Sequence, residues 1–261
     1  MKILKRFLAL TVFLSIAFGA VYFYWFSPKY VVPILMYHRF GYEDSSLFVT
    51  PENFERQMAY IKNEGYEVIS LDELVKGIES KRSFNHKTVV LTIDDGYRDN
   101  YICAYPVLKK YGFSAVIFII SSYIGNDENF MTWEQIKTMR ENDISFGGHT
   151  KNQVYLPDIE KKVILWDEIA GCKRAIQNRI GGRINYFCYP TGGFTEEIKE
   201  IVRISGYKGA CTTNRGFAQS NKDLYELKRI KVTNSDTNKP LSFRAKLSGY
   251  YNLFRSKKSG N

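Results

Sequence analysis

The segment KTVVLTIDDG, residues 87 to 96, constrains this chain more than any other. It is rich in β-branched residues, shows no polar alternation, and ends in two adjacent carboxylates, Asp94 and Asp95, followed by Gly96. A strand apolar on both faces belongs in a parallel sheet covered by helices. Two like charges at the end of such a strand are costly unless a cation or other compensation lies close. Successive strand side chains point to opposite faces, so both carboxylates reach one site only if the chain bends there. Gly96 permits that bend. The bland alternative is a helix cap, or a turn begun by Asp95-Gly96.

Similar strands recur: VVPILMYH ending at His38, SAVIFII, DISFGGHT ending near His149, then NYFCYP, YKGACTT and LKRIKV. Helical segments lie between them. Thr50-Pro51 starts a helix to about Asn63. Ser70 with Glu73, and Thr132 with Gln135, have the spacing of helix caps. Further helices are expected over about Asp99–Tyr111, Ile159–Ile180 and Thr195–Gly206. Strand and helix alternate about seven times, which argues for an α/β fold with a parallel sheet. The polar candidates fall at the C-terminal ends of four separate strands, the face that carries the site in a β/α barrel. An open doubly wound sheet also puts its site there, but the spread over four strands favours the barrel.

Residues Phe7 to Phe26, FLALTVFLSIAFGAVYFYWF, carry no formal charge. About twenty such residues suffice to cross a bilayer. Lys2, Lys5 and Arg6 favour a cytoplasmic N-terminus, with Tyr22, Tyr24 and Trp25 at the far interface. The run is long for a cleaved signal peptide, and small residues suited to cleavage are sparse around Ala17, Gly19 and Ala20. An uncleaved anchor is therefore expected ahead of a cleaved signal or a buried core helix. Residues 1–30 then form a cytoplasmic stub, anchor and linker, and 31–261 an exported catalytic domain. Its end, LSFRAKLSGYYNLFRSKK (Leu241 to Lys258), reads as a basic amphipathic helix packed on the domain, with contact to a membrane surface as the alternative.

Composition excludes other classes. With 44% hydrophobic and 25% charged residues the chain is globular rather than disordered. Its net charge of +10 is spread along the chain without a nucleic-acid motif, so nucleic acid is not an expected partner. Cys103, Cys172, Cys188 and Cys211 show no CxxC spacing, which argues against a structural zinc site. They are expected as buried free thiols, with a Cys188–Cys211 bridge left open.

An aspartate pair beside a strand-ending histidine suits a divalent metal and a general base. At this point a resemblance becomes specific. TIDDG (Thr92 to Gly96), GGHTKNQVYL (Gly147 to Leu156), FCYPTGGF (Phe187 to Phe194) and LKRIKV (Leu227 to Val232) resemble, in order, the motifs of the polysaccharide deacetylases, carbohydrate esterases that share the NodB homology domain. ILMYH (Ile34 to His38) and FMTWEQIK (Phe130 to Lys137) resemble the bacterial subgroup that includes the deacetylases of poly-N-acetylglucosamine. The resemblance implies a distorted (β/α)7 barrel, a polysaccharide substrate and a divalent metal, commonly Zn2+ though other ions serve. It implies Asp94 as the base that activates water, and Asp95 and His149 as metal ligands. It also implies the backbone N–H of Thr191 as an oxyanion donor, His38 as the acid that protonates the leaving amine, and Arg229 as the group that orients Asp94.

The chain departs from the pattern twice. Gln153 stands where the family has a second metal-binding histidine, and an amide oxygen is a weaker donor for zinc than imidazole. Cys188 stands at or near the place of the third motif's arginine. His86 lies before the strand, at the end opposite the site. The expectation is an active enzyme with the Asp-His metal site completed by Gln153 or water. Its rivals are a barrel that binds glycan without turnover, and a hydrolase of another acyl or glycosidic bond. A glycosidase is disfavoured, because it needs two carboxylates facing each other across about 5–10 Å.

Overall fold

The computed structural model describes residues 2–22, 30–213 and 221–251. Its first element is helix α1, Lys2–Val21. Among the described residues this is one helix long and apolar enough to cross a membrane, and none of its apolar window is buried against the rest of the chain. That removes the core-helix reading. Tyr24 and Trp25, the expected interface residues, lie outside the described residues.

Strand β1 (Ile34–Tyr37) begins the barrel; the short pair β2 (Arg39–Phe40) and β3 (Phe48–Val49) sits over its end. Helix α2 (Pro51–Asn63) starts where Thr50 caps the Asn53 N–H and Pro51 takes the first position. Then come β4 (Glu67–Val68), α3 (Leu71–Glu79) capped by Ser70, and β5 (Thr88–Ile93). A π turn at Asn100–Ala104 leads into α4 (Tyr105–Tyr111), followed by β6 (Ala115–Ile119). Helix α5 (Trp133–Arg140) has the full reciprocal cap between Thr132 and Gln135, and β7 (Ile144–Gly148) follows. Helices α6 (Lys162–Trp166) and α7 (Cys172–Ile180) are joined by a π segment. The expected helix from Ile159 thus begins three residues late, after the single turn at Leu156–Asp158. β8 (Tyr186–Cys188), α8 (Glu196–Ile204) and β9 (Gly209–Thr212) complete the regular alternation.

LKRIKV does not form one uniform strand. It forms β10 (Leu227–Lys228) and β11 (Ile230–Lys231), separated by Arg229. Leu227 and Lys228 pair with Cys211 and Thr212 of β9, whereas Ile230 and Lys231 pair with Leu35 and Met36 of β1. The parallel order β11-β1-β5-β6-β7-β8-β9-β10 therefore closes on itself through a single residue. Counting β10 and β11 as one stave gives the distorted (β/α)7 barrel. The distortion shows at β5, whose first residues pair with β4 while Thr92 and Ile93 pair with β6.

Strand alternation splits the core in two. Ile34, Val90, Phe118, Tyr186, Cys211 and Leu227 point inward and fill the barrel. Their chain neighbours, such as Leu35, Leu91, Ile117 and Phe187, pack under the helices. Gly147 is required because a Cβ there would overlap the inward ring of Phe118. Leu71, Leu74 and Val75 of α3 join the inner cluster, and Asp72 accepts from Tyr186 Oη at 3.0 Å. Tyr186 opens its strand, so α3 stoppers the end where the strands begin. Each such buried side chain contributes roughly 1.5–3 kcal/mol.

The C-terminal expectation is corrected. After α9 (Asn234–Thr237), helix α10 (Pro240–Leu247) ends at Leu247, and Gly249 takes a left-handed φ of 77° against Tyr30. The helix does not run on to Lys258; residues 252–258 lie outside the described ones. Phe243 and Leu247 pack into the core, and Lys246 forms a buried ion pair with Asp236 at 2.6 Å.

Candidate active site

The end of β5 delivers both carboxylates to the open mouth of the barrel. Asp94 still belongs to the ladder, its N–H donating to the Tyr37 carbonyl at 2.9 Å, and its side chain continues the inward row of Val90 and Thr92. The bend falls on Asp95 itself, which adopts a left-handed φ of 75°, one residue before Gly96 at 84°. Aspartate tolerates this conformation better than most residues. Gly96 is needed for space as well, because a Cβ there would overlap Ile119. Both carboxylates are buried, at 2% and 5% exposure.

Arg229, at the break between β10 and β11, reaches across the interior to Asp94. Its two terminal nitrogens meet the two carboxylate oxygens at 2.6 Å each. Nη1 also donates to Thr92 Oγ1 at 3.1 Å, and that hydroxyl donates to the Leu35 carbonyl at 2.8 Å. Nη2 donates to Cys188 Sγ at 2.9 Å, and the guanidinium carbon lies 5.5 Å from the centre of the Phe118 ring. Planar, two-pronged pairing of this kind is specific to arginine.

His149 and Asp95 form a second pair, with Nε2 3.3 Å from Oδ1. The other ring nitrogen, Nδ1, contacts the Cys188 carbonyl at 2.8 Å, which fixes the ring. Gln153 brings its amide to the same oxygen of Asp95, 3.3 Å away. The loop that carries it is held by Glu168, whose buried carboxylate accepts from the N–H groups of Lys151 and Asn152 at 2.9 Å each. Thr150 and Gln153 both adopt positive φ, at 64° and 56°, so the loop needs that clamp. His38 stands at the mouth, its side chain 16% exposed, with Nε2 3.8 Å from Asp94 Oδ2. Asn100 donates to its carbonyl at 2.9 Å. Thr191 lies exposed just beyond β8, at φ 55°, in a loop pinned where its carbonyl accepts from Thr213 Oγ1 at 2.7 Å.

Asp94, Asp95, His38, His149, Gln153 and Arg229 thus converge on one mouth, and Thr191 flanks it. Sequence reasoning missed Thr92, Asn100 and Glu168. Thr92 alone carried a signal, since it faces the same way as Asp94. Cys188 and Cys211 are registered neighbours on β8 and β9, and all four cysteines are free thiols.

Burial alone would raise the pKa of Asp94, but the charge and hydrogen bonds of Arg229 outweigh it and hold the carboxyl at about 2. Burial lowers His38 below its ordinary value despite the attraction of Asp94 and Asp95. Burial also pushes the Cys188 thiol up, against Arg229 and with Asp94, so it stays protonated. For His149, burial opposes a charge, yet the carboxylates of Asp95 and Asp94 beside it leave its pKa raised.

Two sets of donor atoms at the mouth lie close enough together for a cation. Asp94, His149 and Cys188 have ligand atoms within 4.8 Å of one another. A cation among them would sit against Arg229, which already occupies both oxygens of Asp94. The Asp95–His149–Gln153 set fits better. Its 3.3 Å spacings match the ~3.4 Å between ligands around a tetrahedral ion with bonds of ~2.1 Å. Turning the Gln153 amide over would present its oxygen to the ion.

A family model described as polysaccharide deacetylase matches residues 81–210. The Bacillus subtilis (strain 168) protein YxkH, assigned to the polysaccharide deacetylases, is 34% identical over 202 residues, covering 77% of this chain and 71% of that protein. The chain belongs to the polysaccharide deacetylase family. A poly-beta-1,6-N-acetyl-D-glucosamine N-deacetylase of Staphylococcus epidermidis is 24% identical over 198 residues, covering 71% of this chain and 68% of that one. The solved structure of the Streptococcus pyogenes deacetylase PplD in complex with acetate superposes with a TM-score of 0.75 at 28% identity. It covers 81% of this chain and 97% of the other.

Proposed function

We propose that this family member is a divalent-metal-dependent enzyme that removes acetyl groups from an N-acetylglucosamine-containing polysaccharide outside the cytoplasm, tethered to the membrane by α1. The observation that carries the reading is the pairing of an ionised, arginine-clamped Asp94 with His38 on one side of the mouth and a cation-sized Asp95–His149–Gln153 set on the other. The relatives named as poly-N-acetylglucosamine deacetylases support the substrate class. The basic residues before the apolar run of α1 support a cytoplasmic N-terminus with the barrel on the far side.

Asp95, His149 and Gln153 would hold the ion, Zn2+ or another divalent metal. When bound, it would supply Lewis-acid polarisation of the acyl group and of the attacking water. Arg229 keeps Asp94 ionised and aims Oδ2 toward His38. A carboxyl at about 2 is a weak base, so it suits a water that is already acidified. Water adds its oxygen to the acyl carbon as Asp94 takes its proton. The carbon–nitrogen bond then breaks, with acetate leaving on one side and the amine on the other. His38 is neutral at rest. It receives a proton from Asp94 Oδ2 across the 3.8 Å gap, which a small side-chain rotation closes, and gives it to the amine. The Thr191 N–H is the candidate donor to the acyl oxygen, a role worth about 2.7–4 kcal/mol in comparable sites.

Gln153 favours a second reading, a barrel that binds glycan without hydrolysing it, because a neutral amide is a poor third ligand. Metal analysis of the full chain in detergent, together with acetate release from N-acetylglucosamine oligomers, separates the two. The proposal expects about one equivalent of metal and acetate release that a chelator abolishes. Asp94→Asn should end turnover while leaving the metal in place. Glycan binding with neither metal nor acetate across divalent ions would establish the second reading instead.

A further inference from the structure

The end of the barrel opposite the mouth is where the chain enters. Tyr30 stacks on His86 with ring centres 4.3 Å apart, and Tyr250 packs edge-on to both. Val31 N–H donates to the Gly249 carbonyl at 3.2 Å, so the entry strand and the C-terminal segment are tied together there. Tyr22, beside the end of α1, reaches the same place, its hydroxyl 3.2 Å from His86 Nδ1. The apolar helix therefore ends against the closed end of the barrel, and none of the described residues covers its apolar window.

The chemistry of that end matches a lipid headgroup layer. The loop SKRSFNHK, residues 80 to 87, carries Lys81, Arg82 and Lys87 and no acidic residue. Arg82 lies 5.5 Å from the centre of the Phe84 ring and pairs with Glu73 at 3.3 Å, both at the surface, where such a pair is weak and leaves the charge able to meet a lipid phosphate. Aromatic rings with polar tips favour the membrane interface, and basic residues next to a membrane helix are drawn to anionic lipid. The mouth is well separated from it. From Thr88, where β5 begins, to Asp94 the strand advances six residues. That is about 20 Å along the chain and about 16 Å along the axis of a barrel with strands tilted ~36°.

We propose that the closed end, around Tyr30, His86 and the Lys81–Lys87 loop, rests on an anionic bilayer, so that the mouth opens away from the membrane. This rests on α1 being an uncleaved anchor. The orientation selects the substrate by height. The site faces polymer strands lying beyond the headgroups and turns its back on saccharides still attached to lipid in the same leaflet.

The test uses the full chain with Cys103→Ser as background, since Cys172, Cys188 and Cys211 are buried. A single fluorophore is placed by Ser83→Cys at the closed end or by Glu128→Cys at the mouth; both positions are exposed. The proteins are reconstituted in phosphatidylglycerol-containing nanodiscs with nitroxide-headgroup lipid, which quenches only at close contact. Several-fold stronger quenching at position 83 than at 128 is expected. Changing Lys81, Arg82 and Lys87 together to Glu should reduce the quenching at position 83 to the value found in neutral lipid. Equal quenching at both positions, or stronger quenching at 128, overturns the orientation. So does flotation of the protein with lipid while neither position is quenched. Protein that stays soluble and does not float with lipid defeats the anchor itself, a separate failure.

Discussion

Replacing Arg229 with Gln should be among the most damaging single changes in the barrel. The substitution removes a guanidinium that is 3% exposed and leaves Asp94, 2% exposed, with no cation of the protein's own beside both its oxygens. Two charge-assisted bonds of 2.6 Å are lost together with those to Thr92 and Cys188. Breaking one partner of a buried pair costs about 3–5 kcal/mol. At about 2–4 °C per kcal/mol for a domain of this size, the thermal midpoint should fall by roughly 6–20 °C. Asp94→Asn strands the arginine and should cost a similar amount. The double variant should be more stable than the sum of the two losses predicts, by about 1–3 kcal/mol, because nothing charged is then left unpaired. Urea unfolding of all four proteins at neutral pH measures this. A cost below about 1 kcal/mol for Arg229→Gln, or additivity within ~0.5 kcal/mol, would refute the view of Arg229 as the counter-ion of Asp94.

Four further outcomes are expected. Glu168→Ala frees the loop that presents Gln153, and should weaken metal binding about 10- to 100-fold in a chelator-competition titration while Asp95 and His149 stay in place. Gln153→His adds an imidazole beside Asp95 and should tighten zinc in the same assay; unchanged affinity would show that the residue never faces the ion. Gly147→Ala drives a methyl into Phe118 and should lower stability by about 1–3 kcal/mol by calorimetry. Burial opposes the charge on Asp236, but Lys246, Ser242 and the Thr233 N–H together leave its pKa depressed. Its contribution is therefore complete above the ordinary carboxylate value and is lost as pH falls through the depressed one. Asp236→Asn should flatten the acid limb of the midpoint-against-pH curve and leave its shape at neutral pH unchanged.

Much of the barrel can be read from local pattern. β5 is apolar on both faces because it separates the inner cluster from the helices, and that is visible in TVVLTI without any partner. The caps at Thr50, Ser70 and Thr132 are local hydrogen bonds between residues three apart, so they too are written in the sequence. His38, Asp94, Asp95 and His149 can be named because strand ends collect at one face, whereas Gln153, Thr191 and Arg229 are named only through the family resemblance. Their pairings depend on long-range register and are not local. Nothing around Arg229 announces that LKRIKV changes partners there, since the break depends on β9 and β1 arriving on either side. The clamp by Glu168 was hidden for a similar reason: a glutamate within a helix looks like an ordinary surface residue until a loop closes over it. Sequence places the bend at Gly96, the residue that usually takes such a conformation, whereas Asp95 and Gly96 share it.

The closure of the barrel through Arg229 also sets an order of events. Arg229 and Asp94 are separated by 135 positions, and contacts this distant form only after the loop-closure entropy between them has been met. A chain still being made would present Asp94 and Asp95 long before residue 229 arrives. Until then the first carboxylate lacks its counter-ion and the barrel lacks its last stave. The clamped form of Asp94 is thus withheld from any fragment that stops short of β11, and arrives together with the completed wall.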